Sequence, residues 1–228
     1  MARTVKPPDV RRSELIATAQ HLFYTKGYET TSVSDIIDSV GVAKGTFYYY
    51  FDSKQAILEA IIDELMDQSM AILQKIVSDE TLAAIPKWQQ AFKVIGSWKV
   101  ARREELIEML RLIAMDENVL LQHKFKAQAV QVMSREIAKI ILQGVEEGVF
   151  DTPYIQESAE IVLMITQSAS EAMGELLLNS GSYEDPAALA QRKVSAIEAA
   201  IERVLNAPPG SLSLIDSQTL AAWFDDQA

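Results

Sequence analysis

Apolar positions recur at helical spacing along almost the whole chain, and no segment alternates apolar and polar residues as a half-buried strand does. "RRSELIATAQHLFYTKG" places Ile16, Ala19, Leu22 and Phe23 on one stripe and predicts a helix stopped by Gly27. "TTSVSDIIDSVG" carries Ser32 three residues before Asp35, the spacing of a reciprocal N-terminal cap, and stops at Gly41. "AKGTFYYYF" predicts a third, very short helix. "DSKQAILEAIIDELMDQSMAILQKIVSD" opens on Asp52 or Ser53 as cap. It repeats Ile57, Leu58, Ile61, Ile62, Leu65, Met66, Ile72, Leu73 and Ile76 at helical spacing, the pattern of a long amphipathic helix.

Beyond Asp79 the spacing predicts helices at about 84–101, 104–115, 118–147, 154–180 and 185–206. Gly144, Gly148 and Pro153 are expected to break the third of these from the fourth, and Gly181 and Pro186 the fourth from the fifth. "APPGS" at 207–211 ends the regular part, and Leu214, Leu220, Trp223 and Phe224 in the tail suit one more short helix. The expected architecture is all-α, with a small N-terminal domain at 1–55 and a larger helical domain at 56–228. With no flexible linker near it, the boundary falls inside the long fourth helix.

Composition narrows the function. The 228 residues suffice for a sizeable core, and 49% hydrophobic with 23% charged residues fits a soluble globular chain. The absence of cysteine excludes disulfides and thiolate metal sites, and His21 and His123 lie far apart, so neither metal nor cofactor is expected. No apolar run reaches 18 residues and the first 20 lack a signal-like core, so a cytoplasmic protein without membrane spans is expected. Net charge is -11, but unevenly spread: residues 1–55 carry seven Lys and Arg against six Asp and Glu, a balance of +1, and the remainder carries -12. A polyanion would be met by the head alone. Nothing resembles a nucleophile–base cluster or a Gly-rich phosphate loop, so no enzyme is expected.

The three predicted head helices, with a glycine turn between the second and third, have the proportions of a helix-turn-helix unit, whose last helix lies in the DNA major groove. Gly41 suits the sharp turn, Val42 can pin it to the core, and Lys44 and Gly45 open the short helix. That helix packs "TFYYYF" into one and a half turns, so its aromatics cannot share one side. Phe47 and Phe51 are expected to plug the core, while Tyr48 and Tyr49 project outward as phenols able to reach phosphate or a thymine methyl.

"GYETTSVSDIIDSVGVAKGTFYYYFDSKQAIL", Gly27 to Leu58, resembles the DNA-binding domain of the TetR family of bacterial transcriptional regulators. The resemblance rests on Gly27/Tyr28, Thr31/Ser32, Asp35/Ile36, Gly41/Val42, Lys44 to Tyr48, Phe51 and Ser53/Lys54, and "GVEEGVFDTPYIQESAEIVL" looks like that family's entry into its dimerising helices. Ile37 and Val40 are bulkier than the alanines common there. Ala43 replaces the usual Ser or Thr and forfeits a cap worth about 1 kcal/mol. The resemblance implies that Thr31, Ser32, Tyr48 and Lys54 meet phosphate, and that Lys44, Gly45, Thr46 and Tyr49 face bases or backbone in the groove. Each has a plainer role open to it: Thr31 and Ser32 as caps, Gly45 as a close-packing residue, Lys54 as a solvated charge. Arg11 and Arg12 either reach phosphate from the first helix or form a solvated arm.

The partners expected on this basis are a double-stranded DNA operator, a second copy of the chain and a small-molecule effector. A two-fold dimer would join its late helices through Ile165, Ala169, Ala172, Leu176, Ala196, Ile197, Ala200 and Ile201, where small residues permit close approach; an intrachain core is the alternative. Trp88, Phe92, Trp98, Met109, Met115, Phe125, Met133 and Met164 are candidates for lining an effector pocket, or for ordinary core. A repressor released from a palindromic operator by a small apolar molecule is the functional expectation, with a helical scaffold using the head for protein contacts as the alternative.

Overall fold

The computed structural model describes residues 7–114 and 119–224. Among them there is no strand, and the chain divides into two compact units, Met1–Gln68 and Ser69–Ala228. The first holds α1 (Pro8–Thr25), α2 (Val33–Val40), α3 (Lys44–Tyr50) and the start of α4 (Lys54–Val77). The second holds the rest of α4, then α5 (Ala84–Val100), α6 (Arg103–Ile113), α7 (Val119–Glu146), α8 (Ile155–Leu178), α9 (Pro186–Leu205) and α10 (Ser217–Ala222). The first unit extends past the expected limit at residue 55. Ile57, Leu58 and Ile61, buried to 1% exposure or less, belong to it although they sit on α4.

In the first unit the stripe on α1 buries Leu15, Ile16, Ala19 and Phe23, with Leu22 only half-buried. The predicted cap of α2 is present in both directions. Asp35 N–H donates to Ser32 Oγ at 3.1 Å, and Ser32 N–H donates to the Asp35 carboxylate at 2.7 Å. Gly41 ends α2 at φ 71°, in the left-handed region where an L side chain is strained, and the Gly41 and Val42 N–H groups take up the Ile37 carbonyl. Ile36, Phe47 and Phe51 join Phe23 in the interior. Burying each such ring contributes about 2 kcal/mol.

The second unit is a bundle in which α8 packs against both α7 and α9, α5 against α7, and α6 against α8. Its main apolar cluster includes Leu73, Trp88, Ile137, Ile141, Val162, Ile201 and Leu205. Gly144 does not break α7, which runs on to Glu146. Its missing side chain instead makes room for a ring: a Cβ there would lie 2.1 Å from Cδ2 of Phe150. The break follows Glu146, with Gly148 in the turn at φ 73°. The described tail carries the six-residue α10 and folds back on the second unit. Leu212, Leu214, Leu220 and Trp223 are buried, and α10 packs on α5 and α9. α8 is the one described helix long and apolar enough to cross a membrane, yet only 22% of that stretch is buried within the chain.

Candidate nucleic-acid interface

α3 is seven residues long and sorts its aromatics sharply. Phe47 is completely buried and Phe51 nearly so, whereas Tyr48 is 45% and Tyr49 76% exposed. Neither exposed phenol has a hydrogen-bond partner among the described residues. Tyr48 stands edge-on to Phe47 at 5.4 Å, and Tyr49 edge-on to Tyr50 at 4.9 Å. Each of the two exposed rings thus has an aromatic neighbour in the chain. Lys44 is exposed, its ammonium 5.8 Å from the Tyr48 ring centroid. Thr46 is half-buried, and Ala43 supplies no cap, as its side chain requires.

Gly45 is exposed, lacks a positive φ, and has no atom within 4 Å of where a Cβ would stand. Close packing inside the chain therefore does not explain this glycine in the first turn of a helix. The first exposed turn of α3 presents Lys44, bare backbone at Gly45 and the two phenols on a short rigid element.

Three of the expected contact residues are engaged within the chain. Thr31 is buried to 1% exposure, and its hydroxyl donates to the Gly27 carbonyl at 2.7 Å, so it braces the turn before α2 and is withdrawn from any outer surface. Ser32 is exposed but spends its hydroxyl on the cap with Asp35. Lys54 is half-buried. Its ammonium donates to the Tyr28 carbonyl at 2.7 Å and sits 4.1 Å from the Tyr28 ring centroid, tying the start of α4 to the turn after α1. The sequence pairs Tyr28 and Lys54 only as separate motif positions. Their partnership depends on a 26-residue separation that periodicity does not reveal.

The cations on α1 and in the turn after it also have intrachain partners. Arg11 pairs with Glu14 at 2.7 Å, Arg12 lies 5.4 Å from the Phe51 ring centroid, and Lys26 pairs with Asp35 at 2.8 Å. Neither arginine is a solvated arm. Hydrogen bonds from Lys26 and then Ser32 hold the Asp35 carboxyl well below the usual carboxylate range.

The residues of this head match the family of bacterial regulatory proteins described as tetR over residues 15–61, a span from α1 into α4. Residues 15–61 are thus a tetR-family head. Over 68 residues it is 40% identical to the HTH-type transcriptional regulator EthR of Mycolicibacterium smegmatis, covering 29% of this chain and 31% of that protein. It is 27% identical over 148 residues to the HTH-type transcriptional repressor KstR2 of the same species, covering 65% and 69%. The stretch matched in EthR is thus under a third of that protein's length. In fold the chain resembles a TetR-family transcriptional regulator from Pectobacterium atrosepticum, with a TM-score of 0.64 at 20% identity over 90% of this chain and all of that one.

In the second unit, the expected pocket residues do not form one lining. Trp88, Phe92 and Met133 share the main apolar cluster, with the Trp88 and Phe92 rings 4.8 Å apart. Met109 and Phe125 are buried on α6 and α7, and Trp98 lies 4.7 Å from the Arg102 guanidinium. Met164 is 57% exposed and cannot line an interior site, and Met115 lies outside the described residues. An open cleft of about 580 Å³ exists elsewhere, lined mainly by polar groups of α4, α5 and α7 including Lys87 and Glu136.

Of the expected dimer residues, Leu176 and Ile201 are buried inside the chain, one against Ala190 and Leu220 and the other in the main cluster. Ile165, Ala169, Ala172, Ile197 and Ala200 are half-buried and Ala196 is exposed. Ile161, at 45% exposure, and Met164 extend the outward apolar surface of α8.

Proposed function

We propose that this chain is a DNA-binding transcriptional regulator, a repressor that binds a two-fold symmetric operator as a homodimer and leaves it when a small apolar molecule binds the second unit. The observation that carries the reading is the division of labour in α3. Phe47 and Phe51 lock the helix into the head, while Lys44, Gly45, Tyr48 and Tyr49 stand outside with no intrachain work that requires their type. A helix so placed can enter a major groove, where lysine donates to guanine O6 and N7 and a phenol reaches phosphate or a thymine methyl. Thr46, half-buried beside them, would support the same face. The repressor sense is supported by KstR2, a transcriptional repressor matched over 69% of its length.

Dimerisation is supported by α8, which is apolar yet mostly unburied, and by its packing against α9, so that both helices can present one outer face. Ile161, Met164, Ile165, Ala169, Ala196 and Ala200 would meet their copies there, making a four-helix bundle. One helix-turn-helix head covers a single half-site, so a second copy supplies the other. Release then follows if an effector binds one conformational state of the second unit better than the other. A mobility-shift titration with the DNA upstream of the chain's own gene tests this reading. A shifted complex at low salt supports it, and no complex at any protein concentration overturns it in favour of a scaffold that uses the head for protein contacts.

A further inference from the structure

The open cleft of about 580 Å³ in the second unit has walls that include Lys75 and Val77 of α4, Lys87 of α5, and Glu136, Lys139 and Gln143 of α7. Val77 is its one apolar lining residue. Its charge is opposite in sign to the chain's: three lysines and one glutamate line it, a balance of +2 against a net -11 for the whole sequence. The glutamate is already matched. Glu136 is 8% exposed, and each of its two oxygens accepts from the Lys139 ammonium at 2.8 Å. The uncompensated charges are therefore those of Lys75 and Lys87. Lys75 is exposed and makes no ion pair with a described residue. Lys87 is only 6% exposed, and its ammonium donates to the Val77 carbonyl at 2.9 Å. An ammonium has three N–H donors, and this is the one hydrogen bond that it makes to a described residue. Asp79 lies close enough to feel the charge, but its carboxylate accepts from the Thr81 N–H at 3.0 Å and hydroxyl at 2.6 Å. Holding the last turn of α4 thus occupies one donor of Lys87. It leaves a buried cation without a carboxylate, and such a charge is costly until it is paired.

We propose that this cleft is a second ligand site, apart from any apolar effector, and that it takes a small organic dianion, a dicarboxylate or a phosphate monoester, on Lys75 and Lys87. The two sources share one chemistry: two negative charges on oxygens that accept from ammonium groups. Bonds of this charge-assisted kind are stronger than neutral ones, and the partly enclosed Lys87 is screened by water less than a surface lysine. Gln143 donates its amide to the Leu82 carbonyl and to Glu147, which holds that wall in place and leaves its own oxygen for a ligand hydroxyl. A metal cation is a poor match, because the Glu136 carboxylate is taken by Lys139 and the two other cations repel it. An apolar molecule is a poor match as well, since it would bury polar walls and leave both charges unpaired.

The test is calorimetric titration of the full chain at low salt, without DNA, with glutarate, with methyl phosphate and with glutaramide, the neutral diamide of glutarate. At least one of the two dianions is expected to bind about tenfold or more tightly than glutaramide, and the tighter of the two identifies the source. Lys75→Met and Lys87→Met should each weaken that dianion about tenfold. Lys193→Met, which removes an exposed charge on α9 away from the cleft, should leave it unchanged. Dianions that bind no better than glutaramide would overturn the proposal. So would an equal loss in Lys193→Met and Lys75→Met, which would reduce the effect to net charge. Lys87→Met also removes the bond to Val77 and so can lower the unfolding midpoint, whereas Lys75→Met removes no intrachain bond of its ammonium. A Lys75→Met chain that keeps full dianion affinity would contradict the site even if the Lys87 variant fails to fold. A folded Lys87→Met chain that is less stable yet binds the dianion normally would show that Lys87 only holds the end of α4.

Discussion

Phe47 and Tyr48 are consecutive on α3 and their rings meet edge to face at 5.4 Å, yet one is wholly buried and the other 45% exposed. The pair joins the head's core to its outer surface, and the two residues should respond to substitution in opposite ways. Phe47→Ala should destabilise the head by about 3–5 kcal/mol through lost burial and a cavity. Tyr48→Phe and Tyr49→Ala should leave the unfolding midpoint within a degree or two and weaken DNA binding. Chemical denaturation alongside DNA titration checks both. Retained DNA affinity in Tyr49→Ala would remove that phenol from the interface.

Gly45 offers the cleanest separation of folding from binding. Alanine in place of glycine inside a helix favours folding by up to about 1 kcal/mol, and here the added methyl meets nothing within the chain. Gly45→Ala should therefore be neutral or stabilising in thermal unfolding and should still weaken DNA binding, because the methyl stands on the surface that approaches the groove. A variant that is stabilised and binds DNA normally would show that no partner comes close at this position.

Lys54 is expected to behave as a structural residue. Its ammonium engages both the carbonyl and the ring of Tyr28, and a tie of this kind contributes about 1 kcal/mol. Lys54→Met should lower the stability of the head and leave the salt dependence of DNA binding nearly unchanged. A fall of about one unit in the slope of log affinity against log salt would restore it to the phosphate contacts.

Much of this was legible in the sequence. Helical spacing marked the long helices, and Gly27, Gly41, Ser32 with Asp35, and Pro186 punctuate the chain where the structure bends or caps it, because these signals are local. The third helix's split between plug and surface followed from turn geometry alone. What remained hidden depends on long-range packing. The amphipathic stripe of α9 does not distinguish Ile201, facing the chain's own core, from Ala196, facing outward. Gly144 carried the same helix-breaking signal as Gly148, although one seats the Phe150 ring and the other turns the chain. The same holds for Thr31: its motif position is consistent with a phosphate contact, and only the fold shows the hydroxyl turned inward to Gly27.

Acid should unlock the cap of α2. The Asp35 carboxyl is held below its ordinary range by Lys26 and Ser32, so its contribution is fully present above the unfolded carboxylate value, about 4, and fades as pH falls below it. Asp35→Asn should lower the unfolding midpoint at pH 7, and the difference from the unaltered chain should shrink as the pH is taken from 5 toward 2. A difference that stays constant across that window would mean that the carboxylate's charge does not matter to the cap.

The dimer reading is tested by placing a charge on the outer face of α8. Met164→Glu should leave the fold intact, since the side chain is exposed within the chain, and should yield monomers in sedimentation because two carboxylates would meet near the two-fold axis. Operator affinity should fall with it, as the second half-site loses its high effective concentration. A variant that sediments as a dimer would place the interface elsewhere.

The central claim, that α3 reads DNA, is tested most directly by selecting bound sequences from a random double-stranded pool with the full chain and with Lys44→Ala. The account predicts enrichment of a two-fold symmetric site whose half-sites lie about 34–36 Å apart or a multiple of that. It also predicts relaxed preference at one base pair of each half-site in the variant. A pool that shows no enrichment at low salt, or the same enriched site with and without Lys44, would contradict it.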